Sequence, residues 1–133
     1  MTSANDTGAV VVDASAILAL LFGEPFERVE PEHIAKAWVS TVNLSEVLGK
    51  LYEMGVPEDA ADAAVARLSL RVRAFDESQA RAAAQLKPLT REAGLSLGDR
   101  ACLALAKSLK CRVITADRVW SNTDVGVEVL LIR

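Results

Sequence analysis

The chain is poor in the residues that most often carry covalent and redox chemistry: it has one histidine and two cysteines. A Ser-His-Asp or Cys-His mechanism would have to run through His33, and the surrounding Glu30-Pro-Glu-His-Ile34 has no nucleophile motif. His33 reads as a surface residue. Cys102 and Cys111 stand at a spacing that matches no metal or redox motif. Both read as reduced core thiols, one on a helix and one opening a strand. Long hydrophobic runs are missing too. The longest, Ala16 to Phe22, is a single short helix, so no membrane span is expected. The first eight residues have neither a basic region nor an apolar core. That excludes a secretory signal, and the expectation is a flexible tail over 1–8 and a cytoplasmic location. Cations are outnumbered: 15 Lys and Arg against 18 Asp and Glu give a net charge of −3, which argues against a broad basic surface. A local one stays open, because Arg67, Arg71, Arg73, Arg91, Arg100, Arg112 and Arg118 make Arg the main cation. Arg grips phosphate in two places at once.

What is present suffices for a core. With 133 residues, 51% of them hydrophobic and 25% charged, the expectation is one globular domain over 1–133. The organising stretch is Val10-Val11-Val12, a two-sided apolar run of the kind buried in a parallel sheet. It stops at Asp13, and Ser15 to Phe22 follows as a buried helix closed by Gly23-Glu-Pro25. A short helix is expected at Phe26–Val29 or Pro31–Ala37, then a strand over Ala37–Ser40. Apolar spacings of three and four mark a helix from Thr41 to Gly55, and Pro57 opens another through Leu68. Leu70 to Phe75 alternates apolar and basic residues, as a strand near a sheet edge would. Asp76 caps a helix through Leu86, and Pro88 to Gly94 is a connection. A helix from Ser96 to about Lys110, a strand Arg112–Thr115, a turn over Ala116–Ser121 and a strand Val127–Ile132 complete the chain. Strands alternating with helices imply an α/β fold with a parallel sheet covered on both faces.

Four acids punctuate this pattern. Asp13 and Asp117 follow apolar strands, and Glu46 and Asp99 lie in helix starts. Each has a purely structural explanation. Asp13 could cap its helix, Asn43-Leu-Ser-Glu46 and Ser96-Leu-Gly-Asp99 are close to capping boxes, and Asp117 could cap a turn. Together they are harder to dismiss, since a parallel sheet brings these places to one edge, where ligands bind. Converging carboxylates repel by roughly a few kcal/mol per close pair at intermediate dielectric. A bound Mg²⁺ or Mn²⁺ would remove that repulsion, and hard oxygen ligands suit those ions. Ser15 and Thr115, each two residues from an acid, add hydroxyls.

Val12-Asp-Ala-Ser15, Asn43-Leu-Ser-Glu46, Leu95-Ser-Leu-Gly-Asp-Arg-Ala-Cys-Leu-Ala104 and Ile114-Thr-Ala-Asp-Arg118 resemble the PIN-domain ribonucleases, most closely the VapC-type toxins of bacterial toxin–antitoxin pairs. The match spans essentially the whole chain, with the blocks in order. The resemblance implies a three-layer α/β/α fold with strand order 3-2-1-4-5. It also implies a Mg²⁺- or Mn²⁺-dependent endoribonuclease that cuts single-stranded or looped RNA, such as tRNA or rRNA. Carried over by position, Asp13, Glu46, Asp99 and Asp117 are the catalytic and metal-binding quartet. Ser15, Thr115 and Asn43 are supporting residues. Asp124 is a substitute for Asp117 outside the matching block. Arg100 and Arg118 either hold substrate phosphate or pair with a neighbouring acid. The same resemblance implies a VapB-type antitoxin, seated near Leu18, Leu21, Phe22, Leu48, Leu51 and Tyr52. It implies a homodimer as well, for which Ala60, Ala61, Ala63, Ala64 and Ala66 leave a helix surface with little bulk. Two other readings compete. A HAD-type phosphatase also places an Asp after its first strand, but it wants a second Asp where Ser15 stands. A metal-free PIN fold acting as a binding module has no reason to keep all four acids.

Overall fold

The computed structural model describes residues 9–133. The expected tail over 1–8 lies outside them. Five parallel strands form one sheet in the order β3-β2-β1-β4-β5: β1 (Val10–Val12), β2 (Trp38–Ser40), β3 (Arg71–Arg73), β4 (Arg112–Thr115) and β5 (Val129–Leu131). This is the order expected. β1 is central, paired through Val11 with Trp38 on one side and through Val10, Val11 and Val12 with Arg112, Val113 and Ile114 on the other.

The alternation of side chains along the strands builds two cores. Val10, Val12, Val39 and Ile114 face one layer, made of α1 (Ala14–Leu21), α2 (Thr41–Glu53) and α3 (Glu58–Ala66). Val11 and Val113 face the other, made of α4 (Glu77–Gln85) and α5 (Leu97–Leu109). All three residues of β1 are buried, which is why an unbroken Val run rather than an alternating one stands there. The most buried helix is α5, with Ala101 to Ala106 excluded from solvent. Trp120, fully buried, anchors a 3-10 turn (Arg118–Asn122) that follows β4. Among the described residues no helix is long and apolar enough to cross a membrane.

Several boundaries differ from the sequence reading. Of the two short helices expected between Phe26 and Ala37, Phe26–Val29 does not form and Pro31–Ala37 is shortened to a 3-10 turn, Pro31–His33. The N–H groups of Glu27 and Arg28 both donate to the Ile132 carbonyl, at 2.6 and 3.0 Å, so this backbone is held by the end of the sheet instead of by itself. The strand expected over Leu70–Phe75 is only Arg71–Arg73, and all three residues are exposed at the sheet edge. α2 begins at Thr41 with Ser40 as its cap, Ser40 Oγ accepting from the Val42 N–H at 3.2 Å. The capping box expected at Asn43 is therefore absent, and Asn43 and Glu46 are interior helix residues.

Every strand points its carboxyl end to the same edge. α1 and α2 start there because they follow β1 and β2. α5 starts there because it must run back across the sheet to deliver β4. This is the geometry that gathers the acids.

Candidate functional site

Asp13 sits at the carboxyl end of β1 with 4% of its surface exposed. It caps α1, Oδ1 accepting from the Ala16 N–H at 3.0 Å. Two hydroxyls complete its surroundings. Ser15 Oγ donates to the carboxylate at 2.9 Å, and Thr115 Oγ1, from the neighbouring strand, donates to Oδ2 at 2.6 Å. Thr115 Oγ1 in turn accepts from the Asp117 N–H at 3.1 Å, and Ser15 Oγ accepts from the Ala116 N–H at 2.9 Å. The two hydroxyls thus lock β1 to the turn after β4. Burial pushes the Asp13 carboxyl up from 3.8 to about 6. Its hydrogen bonds from Thr115, Ala16 and Ser15 pull it back, and the nearby Asp99 charge adds to the rise.

Glu46 reaches the edge from α2. Asn43, one turn earlier and 1% exposed, donates through Nδ2 to Glu46 Oε1 at 2.9 Å and to the Gly98 carbonyl of α5 at 3.0 Å. Gly98 is what makes room here for the Glu46 carboxylate. A Cβ on that residue would fall 2.6 Å from Cδ and Oε1 of Glu46. Asp99 follows directly. Its Oδ2 accepts from the Ser96 N–H at 2.9 Å while the Asp99 N–H donates to Ser96 Oγ at 3.2 Å, so the capping box read from the sequence is real. One turn further into α5, burial pushes the Cys102 thiol well above its usual range, and the charges of Asp13, Asp99 and Glu46 all add to the rise. Glu46 therefore lies against the turn of α5 that carries Asp99, and Asp13 feels the Asp99 charge. Asp117 joins them only through the Thr115 hydroxyl. It caps the 3-10 turn, Oδ1 accepting from the Val119 N–H at 3.0 Å.

Among the described residues, no three Asp, Glu, His or Cys side chains stand close enough to hold an ion without adjustment. The means of adjustment are at hand, since Glu46 is exposed and Asp99 and Asp117 are half-buried. The donor set consists of hard carboxylate oxygens, and Asn43 Oδ1 is buried beside it without a partner. That chemistry fits Mg²⁺ or Mn²⁺.

The remaining candidates separate. Arg118 is exposed beside Asp117, and among the described residues it joins no ion pair. Arg100 turns away from the edge: its Nη1 donates to the Ala83 carbonyl at 3.0 Å between α4 and α5, so it is a core residue and not a phosphate ligand. Asp124 is exposed in the loop between the 3-10 turn and β5. The residue that sequence reasoning missed is Gly98. Its signal was a glycine placed directly before an acid in a helix start, but the need for it comes from a side chain 52 residues earlier in the chain.

A PIN-domain family model matches residues 10–126. No curated protein matches the chain. Among solved structures, the chain is similar to a DNA-bound VapBC from Salmonella typhimurium, with 16% identity, a TM-score of 0.69 and 91% of this chain and 96% of that one covered. It is similar also to VapC20 of Mycobacterium tuberculosis, described as a sarcin-ricin loop cleaving toxin, at 20% identity and a TM-score of 0.66 over 90% and 99% of the two chains. A toxin–antitoxin complex from Klebsiella pneumoniae aligns at 18% identity and a TM-score of 0.63 over 90% and 94%.

Two expected outcomes follow from this geometry. The Asp13 carboxyl is raised on folding, so the native state binds its proton more tightly than the unfolded chain. The resulting stability is full below pH 3.8 and is lost as pH rises to about 6, a change of about 3 kcal/mol. Urea unfolding across that range, with EDTA present, should show this slope in the wild type and a flatter one in Asp13→Asn. Gly98→Ala should leave apo stability unchanged or raise it by up to about 1 kcal/mol, because Ala is the better helix former and the displaced group is the tip of a flexible side chain. The same variant should lose most of the stabilisation conferred by Mn²⁺, and Glu46→Asp on top of it should restore part. A full Mn²⁺ response in Gly98→Ala would show that the Glu46 position does not matter.

Proposed function

The chain belongs to the PIN-domain family, and on that premise we propose that it is a Mg²⁺- or Mn²⁺-dependent endoribonuclease, the toxin of a toxin–antitoxin pair. The observation that carries the reading is the placement of Asp13, Glu46 and Asp99 at the carboxyl edge of the sheet, with Glu46 seated over the glycine that precedes Asp99. A cluster of this kind costs stability, and neither helix capping nor core packing requires Glu46 to be there. Family membership also removes the phosphatase alternative. One structural neighbour is described as a sarcin-ricin loop cleaving toxin, which supports a single-stranded or looped RNA as substrate.

In this reading Asp13, Glu46, Asp99 and Asp117 would hold the ion, which would supply Lewis acidity and charge neutralisation at the scissile phosphate. Asp13 is the fixed member, with its orientation set by Ala16, Ser15 and Thr115. Asn43 holds the Glu46 carboxylate and so acts as a positioning residue. One of the more exposed acids, Glu46 or Asp99, accepts the proton of the attacking water. The hydroxyls of Ser15 and Thr115 are engaged with Asp13, which suits positioning and leaves no covalent intermediate. Arg118, exposed and outside any described ion pair, takes a phosphate next to the scissile one.

RNA incubated with the wild type and Mn²⁺ should be cut, and EDTA should stop the cut. Asp13→Asn and Asp99→Asn should abolish cleavage, and Asn43→Ala should lower it by about 10- to 100-fold, the usual effect of removing a ligand's support. Wild-type protein that cuts no RNA with Mn²⁺, and gives no heat on titration with Mn²⁺, is a metal-free binding module.

The antitoxin would cover the outer face of α1 and α2. Phe22 and Tyr52 are 40% and 42% exposed there, beside half-buried Leu18, Leu21 and Leu48. Leu51, at 5% exposure, belongs to the core and drops out of the surface read from the sequence. Ala61 likewise faces the core, leaving Ala60, Ala63, Ala64 and Ala66 as the small-residue face for a homodimer. Phe22→Lys with Tyr52→Lys should leave stability nearly unchanged and weaken neutralisation by the antitoxin encoded alongside, read as growth in co-expression. Full neutralisation of that variant would place the antitoxin elsewhere.

A further inference from the structure

The acidic edge poses an electrostatic problem for any nucleic acid that approaches it. Four carboxylates stand where a polyanion must lie, Arg100 is tied to the Ala83 carbonyl, and the net charge is −3. Attraction has to come from cations beside the edge. The most organised of these lie on β3. The guanidinium of Arg71 stands 5.6 Å from the centroid of the Trp38 ring and that of Arg73 stands 5.5 Å from it. Both arginines are exposed, and among the described residues neither joins an ion pair. Glu77 is paired with Arg81 and the Asp76 carboxylate accepts from the Gln79 N–H, and among the described residues neither acid forms an ion pair with Arg71 or Arg73.

The placement of this group relative to the acids is set by register. Trp38 pairs with Arg71 and Ser40 with Arg73. Ser40 is the cap of the helix that carries Asn43 and Glu46, and the Phe75 N–H donates to Thr41 Oγ1 at 3.0 Å. The Arg73 backbone therefore stands at the carboxyl end of β3, on the same sheet edge as the acids, while its guanidinium lies back over Trp38 at the start of β2. On the other flank, across β2 and β1, Arg118 follows Asp117. Three strand spacings separate the two flanks, about 14 Å.

We infer that Arg71, Trp38 and Arg73 form a track for single-stranded RNA, which leads the strand along the β3 edge to the carboxylates and on to Arg118. The inference rests on the nuclease reading above. The chemistry is that of single-strand recognition: arginines contact phosphates, and a base stacks on the outer plane of a guanidinium. Arginines already stacked on a ring have less freedom to lose on binding. A purely structural stack, which would cover the indole and keep an edge strand from pairing with other chains, would need no RNA at all.

The experiment measures binding of a labelled single-stranded RNA of mixed sequence in EDTA across a salt series, and KM for its cleavage in Mn²⁺. Arg71→Gln with Arg73→Gln should weaken affinity by about tenfold or more and raise KM likewise. Its plot of log affinity against log salt should be shallower by about 1.4, about 0.7 for each lost phosphate contact. Arg71→Lys with Arg73→Lys should keep the salt slope and lose part of the affinity. A Gln pair that is less stable in urea but binds and cuts RNA as the wild type does would make the stack structural and overturn the track alone. A loss confined to antitoxin binding would make β3 a protein-docking strand and overturn it too. A wild-type chain that neither binds nor cuts RNA would overturn both the nuclease reading and the track.

Discussion

The structure depends on how one buried carboxylate is satisfied. Taking an ionised Asp out of water costs several kcal/mol, and each hydrogen bond to a charged group returns roughly 1.5–3 kcal/mol. Asp13 has a backbone N–H from its own helix, one hydroxyl two residues away and one from the adjacent strand. The last of these joins residues 102 apart in the chain, and it works only if β1 and β4 are neighbours in the observed register. The same hydroxyl receives the Asp117 N–H. Strand order, helix start and the turn after β4 are therefore coupled to the position of one side chain.

The parts of this arrangement that were legible in the sequence are those with local causes. The Val run, its stop at Asp13 and the alternation of strands with helices fix a parallel sheet, because those patterns depend on neighbouring residues and on burial. The box at Ser96–Asp99 was legible for the same reason. Asn43 was misread because two cap candidates stand three residues apart, and only the end of β2 decides that Ser40 is the one used. Arg100 was misread because a charged residue beside an acid gives no hint that its head group ends on the Ala83 carbonyl. The backbone at Glu27 and Arg28 is held by Ile132, more than 100 residues later, so local propensities decide little there.

Structural and chemical explanations of the acids turn out not to exclude each other. Asp13, Asp99 and Asp117 each accept a backbone N–H at the start of a helical turn. Asp99 does so with Oδ2 and Asp117 with Oδ1, so the cap bond of each uses one oxygen. Capping fixes the rotamer, and a fixed rotamer is what an ion-binding group needs. Glu46 has no such anchor, so its position relies instead on Asn43 and on the missing side chain of Gly98.

The starts of the helices have one more effect at this edge. α1, α2, α5 and the 3-10 turn all begin at the carboxyl side of the sheet. Aligned peptide dipoles put about half a positive charge at the start of a helix, an effect that fades within the first turn. Several such partial charges converge on the four carboxylates and offset part of their mutual repulsion before any cation arrives. They belong to the backbone, so no side-chain substitution removes them. A phosphate that reaches this edge meets oriented N–H dipoles as well as negative groups, which a count of charged side chains would never register.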